Sequence, residues 1–384
     1  MKEKIIQFLS EFPNPTDQEI LARFPNHKVE SVKRRIREAR QEQKTSHKTL
    51  YEEVEEDRVI KKLKDGSTKE KQKNKILIDY ISTLEAEKEA ILEIKGGAVA
   101  GDISIPSTTE KGEATALWLA SDWHVGEKVT FGQTNGINEY NPKIAQERGE
   151  RFFRNALKLT SISGAEVNIK TVVLALLGDF VTNHLHEQNI ETNYMAPIEE
   201  TIYAQNIIIS GLEYVLKHSK YNLTLVCVSG NHARTTDKVR FGSENGHSLE
   251  YFMYCSIANY FRNEKRITVI IPEGAHAYIN VYTYTVRFLH GHDIKYGGGV
   301  GGITIPINKA IAQWDRARQA YLTCCGHFHQ LFDGGSFLVN GSMIGYNAFA
   351  LSIKASAERP AQRFCLIDKT RGKTITAPIL FDKG

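Results

Sequence analysis

Metal-capable side chains follow one apolar, strand-like run after another in the second half of this sequence. The runs at 116–120, 171–177, 223–228, 285–289 and 322–324 are followed by Ser-Asp-Trp-His, Gly-Asp, Gly-Asn-His, His-Gly-His and Gly-His-Phe-His. One such group alone is more often a satisfied core or surface residue than a ligand, but five in series indicate a shared centre. Strand ends of an α/β sheet meet at a common crevice, so we expect these side chains to come together.

The chemistry that suits such a centre is displacement at phosphorus. Two divalent cations held about 3.5–4 Å apart can clamp the attacking and the leaving oxygen of an in-line displacement. The pair needs a bridging carboxylate together with oxygen and imidazole ligands on rigid elements. Mixed nitrogen and oxygen ligation suits Mn²⁺, Fe or Zn²⁺ and is less typical of Mg²⁺. We therefore predict two divalent metal ions as cofactors, with Mn²⁺ foremost.

Local backbone geometry is expected to aim these ligands. In an extended backbone, alternation places Asp122 and His124 on one side of the chain. The same alternation pairs His327 with His329 and turns Phe328 into the core. The glycines in the motifs are expected to let the backbone turn tightly at each strand end.

The elements that position these groups alternate between strand and helix. Helical stretches at 143–159 and 199–217 separate the first strand-like runs, which predicts an α/β core over residues 113–384 with its sheets covered by helices. A length of 384 residues exceeds one ordinary domain, and 41% hydrophobic residues support a sizeable core. The formal net charge of +4 is too small to argue for nucleic acid by itself.

Residues 1–48 predict a small all-α module of three short helices. The third helix has an apolar stripe at positions 29, 32, 36 and 39, and its other faces carry basic residues that include Lys33, Arg34 and Arg37. This pattern is typical of a helix-turn-helix nucleic-acid reader, and these three residues are the predicted nucleic-acid contacts. A helical docking module with a solvated basic face is the alternative, and it stays open.

Residues 49–112 predict a charged connector. A helical stretch at 69–95 places Leu77, Ile81, Leu84 and Ile91 close to a heptad seam that Lys88 interrupts. A short coiled coil and a helix packed on the catalytic domain both fit this pattern. Glycines at 96, 97 and 101 with a proline at 106 then predict a flexible hinge.

Cysteine usage and hydropathy indicate a cytoplasmic protein. The five cysteines have neither zinc-ribbon nor redox spacing, which suits free thiols in a reducing compartment. The N-terminus has no signal-peptide pattern, and no stretch of about 18 apolar residues could span a bilayer. We therefore expect no membrane partner.

The ordered motifs resemble those of the calcineurin-like metallophosphoesterases, and within them the Mre11/SbcD-type nucleases. The resemblance covers residues 115–380, and its motifs are specific in combination. It implies two packed mixed β-sheets flanked by helices, with the site at the sheet ends, beside the small N-terminal all-α domain.

The resemblance also implies individual roles. One metal would be held by Asp122, His124 and His329. The other would be held by Asn231, His290 and His327, with Asp179 bridging the two metals. His232 resembles the family's catalytic histidine, which contacts the phosphate or protonates the leaving oxygen. A metal-bridging hydroxide would be the nucleophile, because two cations lower the pKa of bound water.

Three positions near these motifs are further candidates for contact with the substrate or a metal. Ala233 and Arg234 follow the Gly-Asn-His motif where the family often has an acid, so Arg234 becomes a candidate phosphate contact. Asn183 lies four residues after the Gly-Asp motif, where many members carry a supporting Asp or Asn, and it is the second candidate substrate contact. His292 competes with His290 as a ligand, and the histidine nearer the strand end is the one we predict.

The sequence thus predicts a metal-dependent phosphodiesterase or nuclease that acts on DNA, with the helix-turn-helix-like module delivering the substrate. A nucleotide phosphatase, a cyclic-nucleotide phosphodiesterase or a protein phosphatase would use the same metals. The alternative from another class is a DNA-binding or assembly protein whose phosphoesterase fold is an inactive scaffold. A homodimer is left open.

Overall fold

The computed structural model of the chain describes residues 2–97, 111–185, 187–296 and 301–381, with the backbone alone at 43–53, 90–97 and 188. The chain separates into two compact units, Met1–Ser107 and Thr108–Gly384. Most of the predicted hinge, at residues 98–110, lies outside the described residues.

The N-terminal unit contains helices α1 (Lys2–Glu11), α2 (Asp17–Arg23) and α3 (Val29–Gly97). Helix α2 begins with a capping box, in which the Thr16 side chain and the Glu19 carboxylate satisfy each other's backbone N–H groups. Apolar residues of the three helices form one small core, made of Ile5, Phe8, Ile20, Phe24, Val32, Ile36 and Ala39.

Helix α3 differs from its prediction. It runs without a break from Val29 to Gly97, so the prediction of a short third helix within residues 1–48 is wrong, and the helix crosses the predicted boundary of that module. The physical reason is composition, because residues 29–97 contain no proline and are rich in Glu and Lys, which favour helix. A single interior glycine, Gly66, does not end it.

Within the described residues, the strands of the second unit form two mixed sheets. The first has the order β11-β10-β1-β2-β3-β4, with β1 to β4 parallel and β10 and β11 antiparallel to their neighbours. The second has the order β5-β6-β7-β9-β8, with β6, β7 and β9 parallel. The strands are β1 (Glu113–Ala120), β2 (Asn168–Leu176), β3 (Asn222–Cys227), β4 (Ile267–Ile270), β5 (His276–Val281), β6 (Tyr284–Leu289), β7 (Leu322–Cys325), β8 (Phe332–Asp333), β9 (Phe337–Val339), β10 (Ala361–Asp368) and β11 (Gly372–Leu380).

Strand β1 shows how the layers are built. Its Leu117 and Leu119 face the second sheet, while Trp118 faces the helices on the opposite side. Helices α4 (Pro142–Ser163), α6 (Pro197–His218) and α7 (Leu249–Tyr260) cover that outer face, and α8 (Thr304–Trp314) covers the outer face of the second sheet. Short helices α5 (Glu187–Thr192) and α9 (Ala348–Ser352) lie in loops. The predicted fold class, two packed mixed sheets flanked by helices with a small all-α part at the N-terminus, is confirmed.

The cysteines are free thiols, buried except for Cys255. None of the helices in the described ranges is both long and apolar enough to cross a membrane.

Candidate metal centre

The loops that follow β1, β2, β3, β6 and β7 meet at one edge of the two sheets. The backbone N–H of Asp122 donates to the carbonyl of Gly178 (3.0 Å), and that of Gly326 donates to the carbonyl of His290 (2.8 Å). The side chain of His290 reaches across to the carbonyl of Leu177 (2.7 Å) and so joins the sheets. The parallel direction of these strands is what brings their ends together.

The structure brings the predicted metal ligands together in two groups. Asp122, His124 and His329 place ligand atoms within 4.8 Å of one another, and so do Asp179, His290 and His327. A third group, with the same limit, joins Asp179 and His124 to His232. The carboxylate of Asp179 therefore lies between the two sets, as a bridging ligand must.

Asn231 belongs beside the second group. Its Oδ1 lies 3.2 Å from Nε2 of His290, and the same Nε2 lies 2.9 Å from Oδ2 of Asp179. Two ligands of each three-residue group are buried, and the third, His329 or His327, is partly exposed. A solvent-borne ligand can therefore reach both groups.

The backbone is left-handed at five of the seven predicted ligands, so the extended geometry predicted for residues 122–124 and 327–329 is wrong. Positive φ angles occur at Asp122 (55°), His124 (47°), Asp179 (54°), His327 (69°) and His329 (54°). This conformation costs an L-residue roughly 1–2 kcal/mol, and it persists where surrounding contacts impose it, often at functional sites. The loops turn directly after each strand because neighbouring loops hydrogen-bond to them there. Phe328 is partly buried against the core under α8.

Glycine is needed beside the ligands mainly because a Cβ has no room there, and less because of the backbone freedom of glycine. Gly178 does have a positive φ of 85°, as predicted, but a Cβ there would also overlap the backbone of Gly230. At Gly230 the φ is ordinary, and an added Cβ would overlap the carboxylate of Asp179. At Gly326 it would meet Ser121 and Asp122. The ligand loops are therefore packed too closely for side chains at these positions.

The histidines are oriented by contacts on the ring edge away from the centre. Nδ1 of His290 donates to the carbonyl of Leu177, and Nδ1 of His232 donates to the carbonyl of Thr182 (2.9 Å). Both rings thus present Nε2 to the centre, the arrangement usual for metal-ligating histidines. Nε2 of His124 is buried and has no hydrogen-bond partner among the described residues. An unpaired buried nitrogen between two carboxylates fits a cation better than an apolar core.

The electrostatics of the side chains at the centre also call for positive charge. Burial would raise the pKa of Asp179, but the imidazoles of His290 and His232 hold it well below its usual range. Burial would likewise lower the pKa of His290, yet the Asp179 and Asp122 carboxylates raise it to about 10. Burial lowers the pKa of His327 to about 3. Protonated imidazole thus compensates the carboxylates here, and a divalent cation can take over that role.

Two buried glutamates, which we call the loop clamps, were not identified from the sequence. Glu200 on α6 accepts the N–H groups of Gly126 (2.9 Å), Thr182 (3.0 Å) and Asn183 (2.8 Å). It therefore joins the loop after β1 to the loop after β2.

The second loop clamp, Glu250 on α7, accepts the N–H groups of Phe180 (2.6 Å) and Gly230 (2.7 Å). It joins the loop after β2 to the loop after β3. Burial, with the Asp179 charge, raises the pKa of Glu250 to about 8, yet each of its oxygens accepts an N–H bond, which suits the carboxylate. The sequence signal that could have identified Glu250 is its position as a single acidic residue in the otherwise apolar run at the start of α7.

The predicted substrate contacts have other partners in the structure. The amide of Asn183 donates to the carbonyls of His232 (2.8 Å) and Arg234 (2.9 Å). The guanidinium of Arg234 donates to the carbonyls of Asn231 (2.6 Å), Thr236 (3.1 Å) and Asp237 (3.3 Å). Both side chains therefore fix the loop that carries His232, and their contact with substrate stays a prediction.

His292, the competing ligand, lies beside the second group. Its ring stacks on Phe241 (centroids 5.4 Å apart) and stands 5.5 Å from the ring of His290. Both ring nitrogens are buried without a hydrogen-bond partner within the described ranges. His290 makes the direct contact with Asp179, and its choice over His292 as the metal ligand stays a prediction.

The predicted nucleic-acid contacts lie on α3 in the N-terminal unit. Lys33 is paired with Asp17 (2.5 Å), and Arg34 lies 3.7 Å from Glu38. Arg37 is exposed. Neighbouring carboxylates reduce the charge that Lys33 and Arg34 can offer to a phosphate, so this interface stays a prediction.

Comparison with known proteins yields structural alignments only. No family model and no curated protein matches the chain. A predicted phosphoesterase from Streptococcus pneumoniae aligns at 12% identity over 69% of this chain and 90% of that chain, with a TM-score of 0.29. Vacuolar protein sorting 29 from Cryptosporidium parvum aligns at 13% identity over 70% and 97%, with a TM-score of 0.29. The E. coli phosphoesterase YfcE aligns at 12% identity over 69% and 99%, again with a TM-score of 0.29. Values this low assign neither family nor activity to this chain.

The loop clamps give a first prediction. Glu250→Gln keeps the shape but replaces one acceptor oxygen with an NH₂ group, which must face the N–H of Phe180 or Gly230. We expect Mn²⁺ affinity to fall about 10–100-fold, the usual cost of losing a contact that orients metal ligands. Calorimetric Mn²⁺ titration measures this, with Glu213→Gln, an exposed glutamate of α6, as the matched control. Wild-type affinity in a folded Glu250→Gln variant would show that the clamp does not position the centre.

The protonation of His290 gives a second prediction. Its folded pKa of about 10 lies above the unfolded value of 6.5, so its protonation stabilises the metal-free protein fully below pH 6.5 and less as pH rises towards 10. A ligating His290 must lose that proton, so Mn²⁺ binding at pH 7.5 should release at least one proton and tighten as pH rises. Calorimetry in buffers of different ionisation enthalpy measures the release. Identical binding enthalpies in all buffers would contradict it.

Proposed function

We propose that the chain is a metal-dependent phosphoesterase, and within that class a phosphodiesterase that cleaves DNA. The observation that carries the proposal is the pair of ligand groups sharing Asp179, with His232 at their edge. Divalent cations in these groups would polarise the oxygens of a phosphate ester and lower the pKa of a bound water.

The protein's own residues supply the orientation. Asp179 is held by the N–H of His232, which donates to its Oδ1 (2.8 Å), so the bridging carboxylate and the catalytic candidate are fixed to each other. The Thr182 carbonyl fixes Nδ1 of His232, and Nε2 is left to contact a phosphate oxygen or to give a proton to the leaving oxygen. The partial exposure of His232, His327 and His329 leaves a route for an ester from solvent.

DNA as substrate has weaker support, from the N-terminal unit. Exposed Arg35 and Arg37 lie on the same helix as Lys33 and Arg34, and basic helices bind phosphate backbones without sequence preference. The same metal centre would serve a nucleotide or protein phosphatase, so the substrate class must be tested separately from the chemistry.

The direct test is hydrolysis of bis-p-nitrophenyl phosphate and of labelled single- and double-stranded DNA with Mn²⁺. We expect Asp179→Asn to abolish metal-dependent turnover, because it removes the shared charge. His232→Ala should lower kcat about 10²–10⁴-fold, the range for a lost general acid or base. His218→Ala, an exposed histidine of α6, is the matched control and should keep wild-type rates.

The outcomes separate the proposals. If the wild type turns over both substrates and both centre variants lose this turnover, the nuclease proposal is supported. Turnover of the small ester alone keeps the phosphoesterase and moves its substrate to nucleotides or phosphoproteins. Absence of metal-dependent turnover on every ester, with DNA still bound, would leave the fold as a binding scaffold.

A further inference from the structure

A long segment of helix α3 exposes apolar side chains that lie along one line of the helix, which we call the seam. Every residue from 54 to 89 is exposed, including Leu63 (66%), Leu77 (55%), Ile81 (50%) and Leu84 (45%). Most helices in proteins depend on burying an apolar face, so an apolar seam of this length indicates a partner.

The spacing of that seam is the spacing of a coiled coil. Ile60, Leu63, Leu77, Ile81 and Leu84 occupy seam positions of one heptad frame, and Leu77, Ile81 and Leu84 follow one another at intervals of four and three. The remaining positions of the same frame are polar, namely Ser67, Glu70, Asn74 and Lys88. Any partner must therefore accommodate one amide and two opposite charges as well as the apolar residues.

Charge along the segment is divided between its halves. Residues 61–75 carry seven lysines against Asp65 and Glu70, whereas residues 79–89 carry four carboxylates against Lys88. The flanks of the seam follow this division, with Lys71 and Lys73 on the first half and Glu85 and Glu87 on the second. The charges of the segment are thus complementary to those of a second copy that runs in the opposite direction.

We propose that residues 69–89 of α3 bind the same segment of a second copy as an antiparallel two-stranded coiled coil. In the register where residue numbers of facing positions sum to 158, Leu77 meets Ile81 of the second copy, and Asn74 meets its Leu84. Glu70 meets Lys88 of the second copy across the seam, so the two seam charges compensate each other.

The same register pairs the flanking charges. Beside the seam, Lys71 lies next to Glu85 of the second copy and Lys73 next to its Glu87, because flanking positions of an antiparallel pair meet two residues before or after the facing position. Each pair occurs twice by symmetry. A parallel, in-register pair would instead place Glu70 on Glu70 and Lys88 on Lys88 in the seam, which is destabilising. Charge complementarity therefore selects the antiparallel self-pair over the parallel one, and it selects a second copy over an unrelated apolar partner.

The test uses the full chain. Light scattering should give twice the 43.3 kDa monomer mass. Leu77→Glu with Ile81→Glu should weaken self-association at least about 100-fold, because four large apolar side chains leave the interface. Circular dichroism of each variant verifies that the helix persists. A wild-type monomer at tens of micromolar, or a dimer that this pair leaves intact, would overturn the proposal.

Charge reversal tests the orientation. Lys71→Glu with Lys73→Glu should weaken the dimer about tenfold or more, and adding Glu85→Lys with Glu87→Lys should restore it. Lys69→Glu with Lys75→Glu makes the same charge change off the seam and is the matched control. Equal effects of the two lysine pairs, or no restoration in the fourfold variant, would contradict the antiparallel register.

Cross-linking provides an independent check in a Cys255→Ser background. Asn74→Cys and Leu84→Cys chains, mixed under oxidising conditions, should form the mixed disulfide in preference to either self-disulfide. Efficient self-linking of Asn74→Cys would show a parallel pair and overturn the proposal.

Discussion

The second unit depends on two carboxylates held out of water. Asp122 and Asp179 are 0% and 1% exposed, at the point where the strand ends of both sheets meet. Buried carboxylates are destabilising unless they are paired or bound to a cation, so everything around them must supply positive charge or hydrogen-bond donors. Histidine rings from four loops and the backbone N–H groups of His232 and His327 do so. The same demand makes the centre a fitting place for divalent cations.

The geometry of the loops follows from that demand. Donors can reach the carboxylates only if the backbones of neighbouring loops lie close together. This close approach excludes side chains at Gly178, Gly230 and Gly326, and it accompanies left-handed φ angles at five of the ligands. The left-handed residues cost stability locally, and the loop clamps Glu200 and Glu250 offset part of that cost by anchoring the loops to α6 and α7. Stability of the folded unit and preorganisation of the centre are therefore linked through the same hydrogen bonds.

Much of this could be predicted from the sequence, because the ligand types and the strands before them leave a strong local pattern. The grouping around Asp179 and the layered α/β fold follow from that pattern. What could not be predicted depends on contacts distant in sequence: the left-handed turns at Asp122 and His327, the loop clamps, and the use of Asn183 to hold the His232 loop. The unbroken length of α3 is a different case, since the absence of proline after Val29 was visible but short helices were expected.

The most direct test of the central claim is anomalous diffraction at the manganese edge from crystals grown with Mn²⁺. Our account predicts two peaks about 3.5–4 Å apart, one among Asp122, His124 and His329 and one among Asn231, His290 and His327, with Asp179 touching both. A single peak, or manganese bound elsewhere with the two carboxylates unligated, would contradict the two-metal centre.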